Sequence, residues 1–144
     1  MKRIIPYLLP LCFVLVLTAG CVKQQDNPPV VLPAGNFSGT YLQIHLNPTT
    51  GKKDTTQGNL NIAMSSTTGY AVTGDTSKHA ASHGSYAVDG VNIQFIDQTL
   101  PSIITKPPAK IHLAGIYQYG YNSPNLQIVF QNDTLAILYN MTAH

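Results

Sequence analysis

Few side chains in this sequence have the type and spacing to do chemistry. His79 and His83 stand four residues apart, a separation that would align two imidazoles on a helix and give a metal ion two ligands. Two ligands are not a site, and no spacing supplies a third, so neither metal nor cofactor is expected. A nucleophilic triad needs a Ser or Cys activated by a His and a carboxylate, and no Gly-x-Ser-x-Gly elbow occurs. The acidic residues are all Asp, scattered and mostly beside turns, and form no pair for glycoside cleavage. His112 falls on the polar side of its apolar pattern, with Gln118, and reads as outward-facing. The chain is therefore read as no enzyme, with His79 and His83 as two exposed loop histidines.

Two features could serve binding. Tyr117, Tyr119 and Tyr121 recur at period two, so on a strand they share one face. A tyrosine joins an apolar ring to a polar tip, which suits a sugar or an aromatic ligand and equally suits a core whose hydroxyls reach water at its rim. The three are the candidate ligand-binding residues, with core packing as the alternative. The second feature is the loop from Gln98 to Lys110, where Leu100, Ile103 and Ile104 sit among prolines that forbid a regular central strand. Such a loop either folds back on the core or docks a partner.

The N-terminus states where these groups work. Lys2 and Arg3 precede an uncharged, mostly apolar run from Ile4 to Leu17, broken by Pro6 and Pro10. A membrane-spanning helix needs roughly 20 apolar residues, so this run reads as an export signal. The next residues, Leu17-Thr18-Ala19-Gly20-Cys21, resemble the lipobox of bacterial lipoproteins, with Thr18 where Leu is commonest. The resemblance implies that residues 1–20 are a signal peptide and that Cys21 carries diacylglycerol. It also implies a cell-envelope, outer-membrane protein held on its membrane through an N-terminal lipid. Cys12 lies within the signal, so no internal disulfide can form in the remaining chain.

Removing the signal leaves Lys23, Lys52, Lys53, Lys78, Lys106 and Lys110 against Asp26, Asp54, Asp75, Asp89, Asp97 and Asp133, a balanced charge without Arg or Glu. That composition excludes nucleic acid as a partner, since phosphate and guanine recognition rely on clustered cations and on Arg. Residues 21–35, rich in proline, form a lipidated tether, and a domain of residues 36–144 follows. A monomer is expected, with a small ligand or an envelope protein as partner.

Within that domain apolar residues alternate between turn residues: Leu42, Ile44 and Leu46; Leu60, Ile62 and Met64; Tyr70 and Val72; Tyr86 and Val88; Val91, Ile93 and Phe95. Then come Ile111 to Tyr121; Leu126, Ile128 and Phe130; and Leu135, Ile137 and Tyr139. These predict eight short strands of about seven residues, with hairpins at Asp89-Gly90 and Asn132-Asp133. Asp75 to Gly84 could close one short helix. The fold class is all-β, a small antiparallel eight-stranded up-and-down barrel, with an open β-sandwich as the alternative. Phe37-Ser38-Gly39-Thr40-Tyr41 resembles the Gly-x-Trp element of lipocalins with Tyr in place of Trp. The run from Gly84 to Phe95, then Leu113 to Tyr117 and Leu126 to Ile128, is similar to small lipocalin-like lipoproteins of Bacteroidetes. That resemblance implies a calyx for a ligand or partner. It also sets up a conflict on the first strand: Tyr41 facing inward takes Gln43 and His45 with it, whereas Leu42, Ile44 and Leu46 make the more apolar face. A bulge near Leu42 would reconcile the two.

Overall fold

A computed structural model of the chain describes residues 30–103 and 107–144. It has eight strands: β1 (Gly35–Leu46), β2 (Lys53–Ser65), β3 (Gly69–Gly74), β4 (His83–Val88), β5 (Asn92–Asp97), β6 (Gly115–Asn122), β7 (Asn125–Gln131) and β8 (Leu135–Ala143). Each pairs antiparallel with its neighbour in sequence, and β1 pairs with β8 from Phe37↔Ala143 to His45↔Leu135. The sheet is thus a closed up-and-down barrel, and the open sandwich is excluded. Closure leaves no free edge strand. The signal peptide, Cys21 and most of the tether lie outside the described residues.

Because the strands alternate in direction, the barrel has two distinct ends. The chain enters the barrel at the start of β1, and the β2–β3, β4–β5 and β6–β7 turns share that entry end with the last residues of β8. The far end carries the β1–β2 and β7–β8 turns and the two long connections, Asp75–Ser82 and Gln98–Ala114.

Local chemistry fixes the turns. Asn47 Oδ1 accepts the Thr49 and Thr50 amides at 3.0 and 3.1 Å, closing the β1–β2 tip, where Lys52 and Lys53 are exposed. Asn132 Oδ1 does the same for Thr134 and Leu135 between β7 and β8, at the predicted hairpin. The β4–β5 hairpin is shifted by one residue from the expectation. Asp89 and Asn92 flank it, with the Asp89 amide donating to the Asn92 carbonyl at 3.0 Å, and Gly90-Val91 form the loop. Gly90 has φ 98°, a conformation costly for a side chain, so glycine sets the turn and Val91 is left 69% exposed, outside the core.

The conflict on β1 resolves in favour of Tyr41. Pairing with β2 runs one to one from Gly35↔Met64 to Leu46↔Lys53, without a bulge. Phe37 and Tyr41 are buried, and Gln43 and His45 share their face only where β1 passes beyond the core to the far rim. Leu42 faces outward opposite Leu138, which in turn lies opposite Val129, so these half-buried side chains cover one another on the outer wall. Burying two whole rings outweighs burying three aliphatic side chains near a rim. Strand length differs too: β1 and β2 have 12 and 13 residues, whereas β3, β4 and β5 have six each. The segment from Asp75 to Gly84 forms no helix. Asp75 Oδ1 accepts the Ser77 amide at 3.0 Å, closing a turn instead of capping a helix.

Candidate functional site

Inward-facing aromatic residues from seven of the eight strands, all but β2, meet in one cluster. Phe95 packs against Tyr70, Tyr86 and Tyr117 with ring centroids 4.9, 6.2 and 5.9 Å away. Tyr117 continues to Phe130 at 6.0 Å and Tyr139 at 6.2 Å, and Tyr139 to Tyr41 at 6.4 Å. Most of these contacts are edge-to-face, which places the positive rim of one ring on the negative face of the next. Leu60, Ile62, Ile93, Leu126 and Ile128 fill the spaces between. A calyx would leave such faces free for a ligand, and here they touch one another.

The predicted tyrosine run divides along its length. Tyr117 is 4% exposed within this cluster, whereas Tyr119 and Tyr121 are half-buried. Tyr121 meets Phe37 edge-on at 6.0 Å near the entry end. Tyr117 lines a depression of about 670 Å3 where the far-end halves of β6 and β7 part, and Tyr121 lines a separate one of about 560 Å3. The three rings share one face without forming the wall of one common pocket among the described depressions. Leu100 is half-buried, Ile103 is exposed, and Ile104 lies outside the described residues.

Histidine chemistry is concentrated at the far end, against the expectation of exposed loop imidazoles. His79 is fully buried, while His83 is exposed. The loop carrying His79 is pinned to the next connection: the Ala80 amide donates to the Ile111 carbonyl at 2.7 Å, and the Ile111 amide to the Lys78 carbonyl at 3.0 Å. Lys110 Nζ adds a bond to the Thr76 carbonyl at 2.6 Å. His79 Nδ1 donates to the Ala80 carbonyl at 2.7 Å, since a carbonyl can only accept. That leaves Nε2 to accept from the Tyr139 hydroxyl at 2.9 Å. Burial holds His79 below the ordinary imidazole pKa and therefore neutral, and it pushes Tyr139 well above the ordinary tyrosine value. With Tyr41 edge-on at 5.2 Å, His79 forms a plug in the far end.

His112 is also placed differently from the expectation. It lies outside the strands, half-buried, with Nδ1 2.7 Å from Asp97 Oδ2. Asp97 Oδ1 accepts from the Thr99 hydroxyl and amide at 2.6 and 2.7 Å. Burial alone would raise the Asp97 pKa, but the bonds from Thr99 and His112 outweigh it and hold the carboxyl below its usual range. Ser82, fully buried, uses its Oγ to accept the Leu113 amide at 3.2 Å. Tyr70 donates to the Leu113 carbonyl at 2.5 Å, and burial, with Asp97 nearby, raises its pKa. Each of these polar groups is occupied in tying a loop to the barrel. Only the Tyr41 hydroxyl is a buried side-chain polar atom without a partner among the described residues. No cluster of three or more His, Cys, Asp or Glu able to hold a metal occurs among the described residues.

The sequence pattern could not have found this plug. His79 lies in a loop whose depth depends on pairing with Ile111, more than thirty residues away, and nothing in its neighbours' hydropathy encodes that contact. No protein-family model, curated protein or solved structure matches the chain.

Proposed function

We propose that this protein is a lipid-anchored lipoprotein of the cell envelope whose barrel is a filled, non-catalytic scaffold presenting its far-end loops to an envelope partner. The observation that carries this reading is the inner cluster itself, whose rings contact each other from Phe95 to Tyr41. Small-ligand sites are concave and keep apolar walls free for the ligand. The walls here are consumed by packing, so recognition falls to the outer surface. The far end offers the Gln98–Ala114 connection, with Ile103 78% exposed among prolines. Attachment at Cys21 rests on the lipobox resemblance. Metabolic labelling with a clickable fatty acid tests it: Cys21→Ser abolishes the label, and label retained by that variant overturns the anchor. Site-specific photo-crosslinking in cells tests the docking face, with a discrete adduct expected at Ile103 and none at Gln127 on the barrel wall. Adducts at Gln127 alone would refute it.

A second reading has its own support. The β6–β7 depression brings Asn92, Gln118, Gln131 and Asn132 around the edges of Tyr117 and Phe130. Amides beside aromatic rings suit a glycan. Chemical-shift changes in these amide side chains on titration with envelope glycans would favour this reading, and unmoved signals would remove it.

A further inference from the structure

The charged side chains of the barrel are segregated by end. Lys52, Lys53 and Asp54 lie at the β1–β2 tip, Asp75 and Lys78 in the β3–β4 connection, Asp97 and Lys110 at the two ends of the β5–β6 connection, and Asp133 between β7 and β8. All of these are at the far end. At the entry end the one Asp or Lys among the described residues is Asp89, whose carboxylate is occupied by the Asn92 amide at 2.9 Å and the Asn92 Nδ2 at 3.3 Å. The other two turns at this end, Ser66-Thr67-Thr68 and Ser123-Pro124, carry no charge.

This end, which holds one aspartate and no lysine among the described residues, also displays apolar side chains. Val30, Val31 and Val91 are 53, 62 and 69% exposed. They are neighbours in space: Val30 Cγ2 lies 3.8 Å from where a Cβ on Gly90 would stand, beside Val91. Pro33 is buried beneath, its carbonyl accepting the Tyr86 hydroxyl at 2.6 Å, so the segment carrying Val30 and Val31 is fixed to the barrel. Only Val22 to Pro29 separate Val30 from Cys21, a reach of about 25 Å for extended proline-rich chain.

We propose that the entry end is a lipid-contacting surface, on which Val30, Val31 and Val91 rest against the headgroup layer and turn the charged far end away from the membrane. The proposal builds on attachment through Cys21. Three valines alone bind a bilayer weakly, but a short tether supplies the effective concentration that makes a weak contact persist. Seating this end also keeps Lys52, Lys53, Lys78 and Lys110 in water, whereas the reverse orientation would press charged tips into the interface. A bilayer fits this surface better than a protein partner, because the segment that forms it is the one nearest the anchor.

The chain contains no Trp, so one introduced indole reports its own surroundings. The lipidated protein is placed on phosphatidylethanolamine–phosphatidylglycerol vesicles, with or without a nitroxide-headgroup lipid, as Val91→Trp, Val31→Trp or Thr50→Trp. Quenching of about twofold with a blue shift is expected for the two entry-end reporters, and none for Thr50→Trp at the far end. Equal quenching of all three, quenching of none, or quenching of Thr50→Trp alone overturns the proposal. Mass spectrometry of Cys21 reports separately on the anchor. If Cys21 carries no lipid, the anchor reading fails. The chain from Cys21 onward, which contains every described barrel residue, is then coupled through that thiol to a maleimide lipid and read in the same way. Unquenched Val91→Trp and Val31→Trp on coupled protein would refute the surface itself.

Discussion

The two ends of the barrel are closed by different means. At the far end, side chains make the closure: His79 reaches into the core to meet Tyr139, and Asp97 gathers His112 and Thr99. At the entry end, backbone bonds make most of it, helped by one tyrosine hydroxyl. The Ala143 amide donates to the Pro124 carbonyl at 2.8 Å, the His144 amide to the Asn36 carbonyl at 3.1 Å, and the Tyr86 hydroxyl to the carbonyl of the buried Pro33 at 2.6 Å. The difference teaches where titration and mutation should act. An end held by ionisable side chains responds to pH and to the loss of a single group, whereas an end held by turns responds to changes in backbone conformation.

The largest effect is expected at the ring that joins the core to the far end. Tyr117→Ala should cost about 3–5 kcal/mol of stability, typical of truncating a buried aromatic, while Tyr121→Ala at the half-buried entry end should cost less than half as much. Denaturant unfolding of both variants checks the contrast, and equal losses would erase it. Tyr139→Phe comes next: it leaves His79 Nε2 buried without its donor, at about 1–3 kcal/mol.

The same histidine sets a pH dependence. Its folded pKa lies below the ordinary 6.5, so the unfolded chain binds the proton more readily. Its contribution to stability is therefore complete above about 6.5 and declines as the pH falls from there towards the folded value. Asp97, also depressed, adds a loss at lower pH, starting near the ordinary carboxylate value and continuing through its folded pKa. Thermal melts from pH 7.5 to 4 should show the first decline in the wild type and not in His79→Gln. An unchanged pH profile in that variant would assign the decline elsewhere.

How far the sequence carried this account depends on what each residue needed in order to be read. Leu60, Ile62 and Met64, or Ile93 and Phe95, are buried by strict alternation, and a period of two is local information. The turns at Asn47 and Asn132 are local as well, being closed by their own side chains. The first strand defeated the pattern because its apolar count favoured Leu42, Ile44 and Leu46, and only barrel closure against β8 shows that this half of β1 runs past the core. His79, His112 and Asp97 were invisible for a related reason. Their roles come from contacts between two loops, and hydropathy records whether a residue is apolar without recording what seals it from water.

Smaller effects sharpen the contrast between the ends. Gly90→Ala should destabilise by about 1 kcal/mol, through its φ of 98°, with no change in pH dependence. A pH-dependent loss in that variant would couple the two ends. Tyr41→Phe should be neutral or stabilising by up to about 1 kcal/mol, because it removes a buried hydroxyl that has no partner. A clear destabilisation would place a bonded water or ligand group at that oxygen.

Native mass spectrometry of the protein extracted gently from its own membranes tests the central claim, a filled barrel, most directly. The account predicts the mass of the chain from Cys21 with its acyl groups and nothing held inside. A stoichiometric small molecule that leaves only when the barrel unfolds would contradict it.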